Sequence, residues 1–443
     1  MIDTNIPKKI MNKLKNDVSD IVIISKTSNA NQIKFSNNKV SITQNWINNS
    51  ISLFVAKDKK VIATTLLDFK DESINKSINL IKKNLSLMQK NEDYHGIAQG
   101  PFKYNKIPDL YDKNIVDYDF SDKLEAGINK SLEIGAKRNS GLLEAGEAEY
   151  LLLTSNNIES VEKLSSIHFS VRALYDKDAS GHITSSSRVL NNDFHIIKSC
   201  EEAAEIAIKA KNPVQGKKGN YDIIFSPLGF APLLDRVGDA SSYFNVDTHL
   251  SFLINKLNKK VAHENIILRD DSTIPNGIGS QHFDSEGVST QNNKIIDKGI
   301  LKTYLHNTST AIKANTKTTA NAGLITPQPW NLVLDSTNKI KKQDLFKEVK
   351  NGLYVTNIWY TRFQNQETGE FSTIPRDGIF IIKNGEIQGS IKEIRISDLM
   401  PRILENIPLV ANDLKQIRSW EAEIPCLLPH ILIKNVNVTT STS

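Results

Sequence analysis

Between Asp20 and Thr65 the chain alternates apolar and polar positions in the runs IVIIS, QIKFS, KVSITQNW, SISLFVA and KVIATT, separated by Asn, Ser and Lys-Asp. A period of two predicts half-buried strands. The period then changes. In DESINKSINLIKKNLSLM, Ile74, Ile78, Ile81 and Leu85 form one stripe, which predicts a helix with Asp71 as its N-cap. With a short helix expected over residues 5–18, this is a strand meander closed by a covering helix, a compact α+β unit over about 1–90.

Residues 92–113 show no periodicity and read as a long connection packed over the surface. A helix in SDKLEAGINKSLEIGAKR, strands at AEYLLLTS, SIHFSVRALY and GHITSSSRV, and a helix in SCEEAAEIAIKAKN predict a central unit over about 118–212. PVQGKKGN at 213–220 combines Pro, Gly and charge and is the expected boundary between an N-terminal α+β region, 1–212, and a C-terminal domain, 217–443. Beyond it YDIIFS reads as a buried strand. FSPLGFAPLLDRVGDASSYF reads as a helix burying Phe230, Leu233, Leu234, Val237, Ala240 and Phe244, with Asp235, Arg236 and Asp239 on a solvated back. The remainder is strand-rich and largely antiparallel, with an Asn-Gly hairpin in KNGE, a helix in DLMPRILENI and a disordered-looking tail, TTSTS. The fold class expected is α+β throughout.

Composition narrows the function. A hydrophobic content of 39% with 24% charged residues and a net charge of +5 describes an ordinary globular chain. Its lysines are dispersed, so no nucleic-acid surface is indicated. No apolar run approaches the roughly 20 residues that span a bilayer, and the N-terminus lacks the pattern of a signal peptide. Two cysteines, Cys200 and Cys426, suit a reducing compartment, and a cytoplasmic location is expected. Neither standard phosphate-binding glycine loop is present, and FSPLG does not meet the G-x-S-x-G elbow. His263-Glu264 is not followed by a second histidine at zinc-helix spacing. His282, Asp284 and Glu286 alternate in GSQHFDSEG; on a strand they would share a face that could hold a metal, and the plainer reading is a polar strand face or turn entry. Cys426, among apolar neighbours, reads as a buried inert thiol.

HFDSEGVSTQNNKIIDKGILKTYLHNTSTA, TANAG at 319–323, RDGIFIIKNGEIQGSIKEIRISDLMPRILENI and VANDL at 410–414 together resemble the C-terminal domain of the TldD/PmbA (TldE) family. VIATTLLDFKDESINKSI and ALYDKDASGHITSSSRV are similar to that family's first and central segments. The resemblance implies two domains and metallopeptidase action on peptides. In the family, active TldD members hold zinc with an H-E-x-x-x-H helix and a C-terminal cysteine, and pair with a PmbA-type partner around a cleft.

Set against that helix, PLLDRVGD places Leu234 at the first ligand position, Asp235 at the catalytic glutamate and Asp239 at the second ligand, with the glycine kept as Gly238. Leucine has no donor atom, and two carboxylates four residues apart do not make a zinc site. The resemblance therefore implies a PmbA/TldE-type subunit with no catalytic residue or metal of its own. Zinc is expected in a TldD-like partner, and Arg236, Asp284 and Glu286 are candidates to line the peptide cleft. A self-standing peptide-binding homodimer is the alternative. A third reading is an autonomous peptidase with a displaced metal site at His282, Asp284 and Glu286.

Overall fold

The computed structural model describes residues 2–190 and 194–440. Helix α1 (Asn5–Leu14) precedes strands β1 (Asp20–Ser36), β2 (Lys39–Lys57) and β3 (Lys60–Leu66). Helices α2 (Asp71–Leu87) and α3 (Ser121–Ile134) lead to β4 (Arg138–Thr154), β5 (Glu159–Leu174), β6 (Ser180–Ser187) and α4 (Ile196–Lys209). The six strands form one antiparallel sheet in the order β3-β2-β1-β4-β5-β6. Because β1 pairs with β4 from Val22 opposite Thr154 to Phe35 opposite Gly141, the meander and the central unit share a single sheet. Helices α1 and α2 cover one end, burying Ile74, Ile78, Ile81 and Leu85 as their stripe requires. Helices α3 and α4 cover the other end over Leu143, Ile167, Phe169 and Val171.

Three long strands replace the five short runs expected before Thr65. The turns fall only at Asn37-Asn38 and Asp58-Lys59, four residues with positive φ that make two-residue hairpins. The Asn-rich interval between IVIIS and QIKFS stays extended because Asn45 Nδ2 donates to Asn29 Oδ1 and Asn31 Oδ1, each at 2.8 Å. Asp71 is not the N-cap of α2. Lys70 holds that position, and Asp68 takes the capping part by accepting from Lys70 N–H at 3.1 Å and from Ser73 Oγ.

The remaining elements are β7 (Val214–Gln215), β8 (Gly219–Phe225), α5 (Pro227–Ala240), α6 (Tyr243–Asp247), β9 (Ile266–Asp271), β10 (Asn292–Asp297), β11 (Ile300–Leu301) and α7 (Thr308–Lys313). They continue with β12 (Leu332–Ser336), β13 (Lys339–Ile340), α8 (Lys342–Lys347), β14 (Asn351–Asn365), β15 (Glu370–Lys383), β16 (Glu386–Lys392) and β17 (Ile394–Leu399). The chain ends with α9 (Met400–Glu405), β18 (Leu409–Ala411), β19 (Lys415–Ser419), β20 (Ala422–Leu428) and β21 (Ile431–Thr440). Two mixed, mainly antiparallel sheets result, β11-β10-β9-β12-β20-β19 and β13-β18-β21-β8-β14-β15-β16-β7, with β17 against β15 and β21. The architecture is α+β with a strand-rich C-terminal part, as the sequence patterns predict. The KNGE turn joins β15 to β16, Asn384 and Gly385 both taking positive φ. The tail is not wholly irregular: Thr439 and Thr440 pair with Arg395 and Ile394, and the last three residues of TTSTS lie outside the described residues.

Helix α5 lies at the centre of the largest core, with Phe230, Leu233, Leu234 and Val237 fully buried. Ser226 caps it, accepting from Gly229 N–H at 3.0 Å while its hydroxyl donates to Thr356 O at 2.6 Å. The helix stops at Ala240 rather than running on to Phe244. Ser242 is drawn away by a bridge to Leu305 and by its hydroxyl bond to Pro327 O at 2.7 Å, so Phe244 falls on α6 and is exposed.

Candidate functional site

The back of α5 is only partly solvated: Asp235 is buried while Asp239 stays open to solvent. It forms one wall of a cleft of about 410 Å³. Asp235, Arg236 and Asp239 face the segment Gln328–Trp330, the β20 residues Glu423 and Ile424, and Arg188, Ile278 and Gln281. Asp235 is only 2% exposed, because β20 crosses the helix there and Ile424 N–H donates to its Oδ1 at 2.8 Å. Gly238 lets the helix lie close to both β12 and β20: a Cβ on it would stand 2.5 Å from Leu332 Cδ1 and 3.2 Å from Ile424 Cδ1. Arg236 reaches back over the helix to both neighbours, 3.2 Å from Asp239 Oδ2 and 3.6 Å from Asp235 Oδ2.

Burial dominates the electrostatics. It pushes the Asp235 carboxyl up to about 7, against the opposing pull of the Ile424 N–H, and nearby Asp239 raises it further. Asp239 is also raised by burial, with Arg236 acting against it. On the opposite wall the Arg188 guanidinium is buried and lowered to about 10 by desolvation. It donates to Gly277 O at 3.2 Å, Ser165 O at 3.0 Å, Ser280 O at 3.4 Å and Ile278 O. The cleft thus sets three carboxylates and Arg236 across from a second guanidinium, with the amides of Gln281 and Gln328 between.

Leu234, which the resemblance set against the first zinc-ligand position, points into the core and is fully buried. Asp235 is committed to a backbone N–H, and Asp239 to a guanidinium that already supplies positive charge. This donor set does not fit zinc. Among the described residues no three His, Cys, Asp or Glu side chains converge as metal ligands. Cys426 is fully buried on β20 and its thiol is pushed up by burial, as expected of an inert thiol.

Asp284 and Glu286 lie away from this cleft, and the segment holding them is a turn, not a strand. Asp284 Oδ1 accepts from Glu286 N–H and Val288 N–H, each at 2.9 Å, and Oδ2 from Ala322 N–H at 3.0 Å. Those bonds curl the chain and point His282 to Glu162, 2.7 Å away. Glu286 lines a separate cavity of about 310 Å³ with Tyr94, Phe244 and Ile325, and burial together with the Asp284 charge raises its carboxyl.

Arg188, Glu423, Gln281 and Trp330 were not legible as site residues, since they come from four distant segments with no shared motif. Asp270 organises one of them. Its Oδ1 accepts from Trp330 N–H at 2.9 Å and Asn331 N–H at 2.7 Å, and its Oδ2 from Asn321 Nδ2 at 2.5 Å. The TANAG segment is therefore the inner support of the cleft loop, through Asn321.

A long antiparallel N-terminal sheet followed by a strand-rich C-terminal part places the chain among α+β proteins. Residues 218–440 match the family model described as PmbA/TldA metallopeptidase C-terminal domain. The chain belongs to the PmbA/TldD family. Among its relatives is an uncharacterised protein of Methanocaldococcus jannaschii, 26% identical over 84% of this chain and 86% of the relative. A metalloprotease PmbA homolog of Buchnera aphidicola is 32% identical over 40% of this chain and 38% of its own length. A metalloprotease TldD homolog of Buchnera aphidicola is 27% identical over 61% and 60%. The crystal structure of TldE from Thermococcus kodakarensis superposes with a TM-score of 0.87 over 98% of this chain and all of that one, at 19% identity, a likeness of fold.

Proposed function

We propose that this chain is the metal-free, PmbA/TldE-like subunit of a TldD/TldE-type peptidase, lining the peptide cleft while a TldD-like partner supplies zinc. The observation that carries the reading is the state of α5. The helix and its glycine are kept, Leu234 is part of the core, and Asp235 and Asp239 both stand against Arg236. The same reading keeps the division of the chain into 1–212 and 217–443 as a proposal, together with a cytoplasmic location; among the described residues no helix is long and apolar enough to cross a membrane.

The test is reconstitution. The purified chain is expected to hold no stoichiometric zinc by elemental analysis. Peptide hydrolysis is expected only after mixing with a TldD-like chain carrying an intact H-E-x-x-x-H. Hydrolysis by the isolated, chelated and zinc-repleted chain would sink the proposal.

A further inference from the structure

The cavity that Glu286 lines is walled largely by apolar residues. Val22, Phe54 and Val61 come from the N-terminal sheet, Ile97 from the connection after α2, and Leu324 and Ile325 from the loop after TANAG. Its charges do not balance: Asp93, Asp247 and Glu286 share it with Lys313 alone. Lys313 is already engaged, 2.9 Å from Asp93 Oδ2 and 2.7 Å from Asp247 Oδ2. Glu286 is left over. It is 6% exposed, and among the described residues no basic side chain pairs with it. Its donors are neutral: Thr308 N–H stands 3.3 Å from Oε2, and Ala98 N–H acts in the same sense. An ionised carboxylate accepts at about four positions, so capacity remains. Asp284 beside it has the same charge and spends its oxygens on three backbone N–H groups. A buried carboxylate without a counter-charge is costly, and here a cavity adjoins it.

We propose that this cavity binds a primary ammonium group carried on a short apolar chain, with Glu286 as its counter-charge. The apolar wall takes the chain, and Phe54 and Tyr94, with ring centroids 5.8 Å apart, add aromatic rings that attract a cation. Other charged groups fit less well. A metal ion needs several donors, and among the described residues no three His, Cys, Asp or Glu side chains converge. A guanidinium brings five N–H donors to one free carboxylate and would leave some of them buried and unpaired. An anion would meet uncompensated carboxylates. The volume of about 310 Å³ is at the lower end of small-molecule pockets, about 300–1,000 Å³, so a short chain fills it. Phe244 and Ile325, 41% and 60% exposed, line the cavity where solvent reaches it. A free alkylamine and a lysine side chain offer the same chemistry. The site needs neither zinc nor a partner chain and its readout is binding, so it stands apart from the peptidase reading.

Ligand-observed NMR titration of the full-length chain at fixed ionic strength tests the site. At about pH 8.5 the Glu286 carboxyl, raised to about 8, is mostly ionised and an alkylamine is still charged. Saturable binding of n-pentylamine is expected, with far weaker binding of 1-pentanol and pentanoate, which keep the chain and remove or reverse the charge. Glu286→Gln is expected to weaken amine binding by about tenfold or more. Glu72→Gln, at an exposed acid on α2, is expected to leave it unchanged. Phe244→Ser is expected to weaken pentylamine more than methylamine, which lacks the chain. Nα-acetyl-lysine amide separates the two sources: binding like that of pentylamine assigns the site to a lysine side chain, and its exclusion assigns the site to a free alkylamine. Absence of saturable amine binding overturns the proposal. So does 1-pentanol binding as tightly as pentylamine, or a folded Glu286→Gln variant that binds amine like the parent. If Glu286→Gln alters the circular dichroism, Phe244→Ser and the pentanol comparison decide.

Discussion

Asp235 shows how one side chain can be set by its surroundings against its own chemistry. An aspartate ordinarily titrates near 3.8; here burial under β20 carries it to about 7. Between those values the folded chain keeps a proton that the unfolded chain has released, so stability falls as pH rises from about 4 to about 7. Asp235→Asn keeps an acceptor for Ile424 N–H and removes the titration. The variant is expected to match the parent near pH 4 and to exceed it increasingly towards pH 8, by at most ~4 kcal/mol. Urea unfolding at a series of pH values measures the gap. A gap that does not change with pH would remove the titration from Asp235.

At the scale of elements, the cleft depends on loops anchored by buried side chains. The Gln328–Trp330 wall has no regular structure of its own; the Asp270 carboxylate at the end of β9 gathers its backbone N–H groups and the Asn321 amide. Burial raises Asp270, and those donors act against the rise. Asp270→Ala orphans three donors, each costing about 1–3 kcal/mol when left buried and unpaired. The expected result is a loss of roughly 3 kcal/mol or more, with faster amide exchange at Trp330 and Asn331. Unchanged exchange there would show that the loop holds itself. The same scale explains the sequence readings that failed. Periodicity found α2, α5 and the hairpin at KNGE because each is set by local pattern. It divided β1 in two and ran α5 past Ala240, because Asn45 and Pro327 O act from outside the local pattern, and it misplaced the α2 cap by passing over Asp68 just upstream.

For the whole molecule, Arg188 is a junction. It follows β6 of the N-terminal sheet, yet three of its four carbonyl acceptors, Gly277 O, Ile278 O and Ser280 O, belong to the C-terminal part. Arg188→Met preserves length and apolar stem but takes the guanidinium donor from Ile278 O and Ser280 O, while Gly277 O keeps the Ser280 N–H. It also removes a buried charge that itself opposes folding, so the net loss is expected to be modest, about 1–3 kcal/mol. The larger effect is expected as faster limited proteolysis in 276–281, and cleavage at the parental rate would show that the junction does not rest on this side chain.

By itself the sequence determined the α+β class, the apolar face of α5, the Asn-Gly hairpin and the family. These follow from period, turn chemistry and motif, which act over neighbouring residues. Only the tertiary structure decided that Asp235 is buried rather than solvated, that Arg188 and Glu423 meet it across a cleft, and that Asp284 and Glu286 lie elsewhere. It alone showed that, among the described residues, no strand pairs with the outer edge of β2 over 39–50. Burial, long-range hydrogen bonds and unpaired edges depend on which distant segments meet, and no local pattern of residues encodes that meeting.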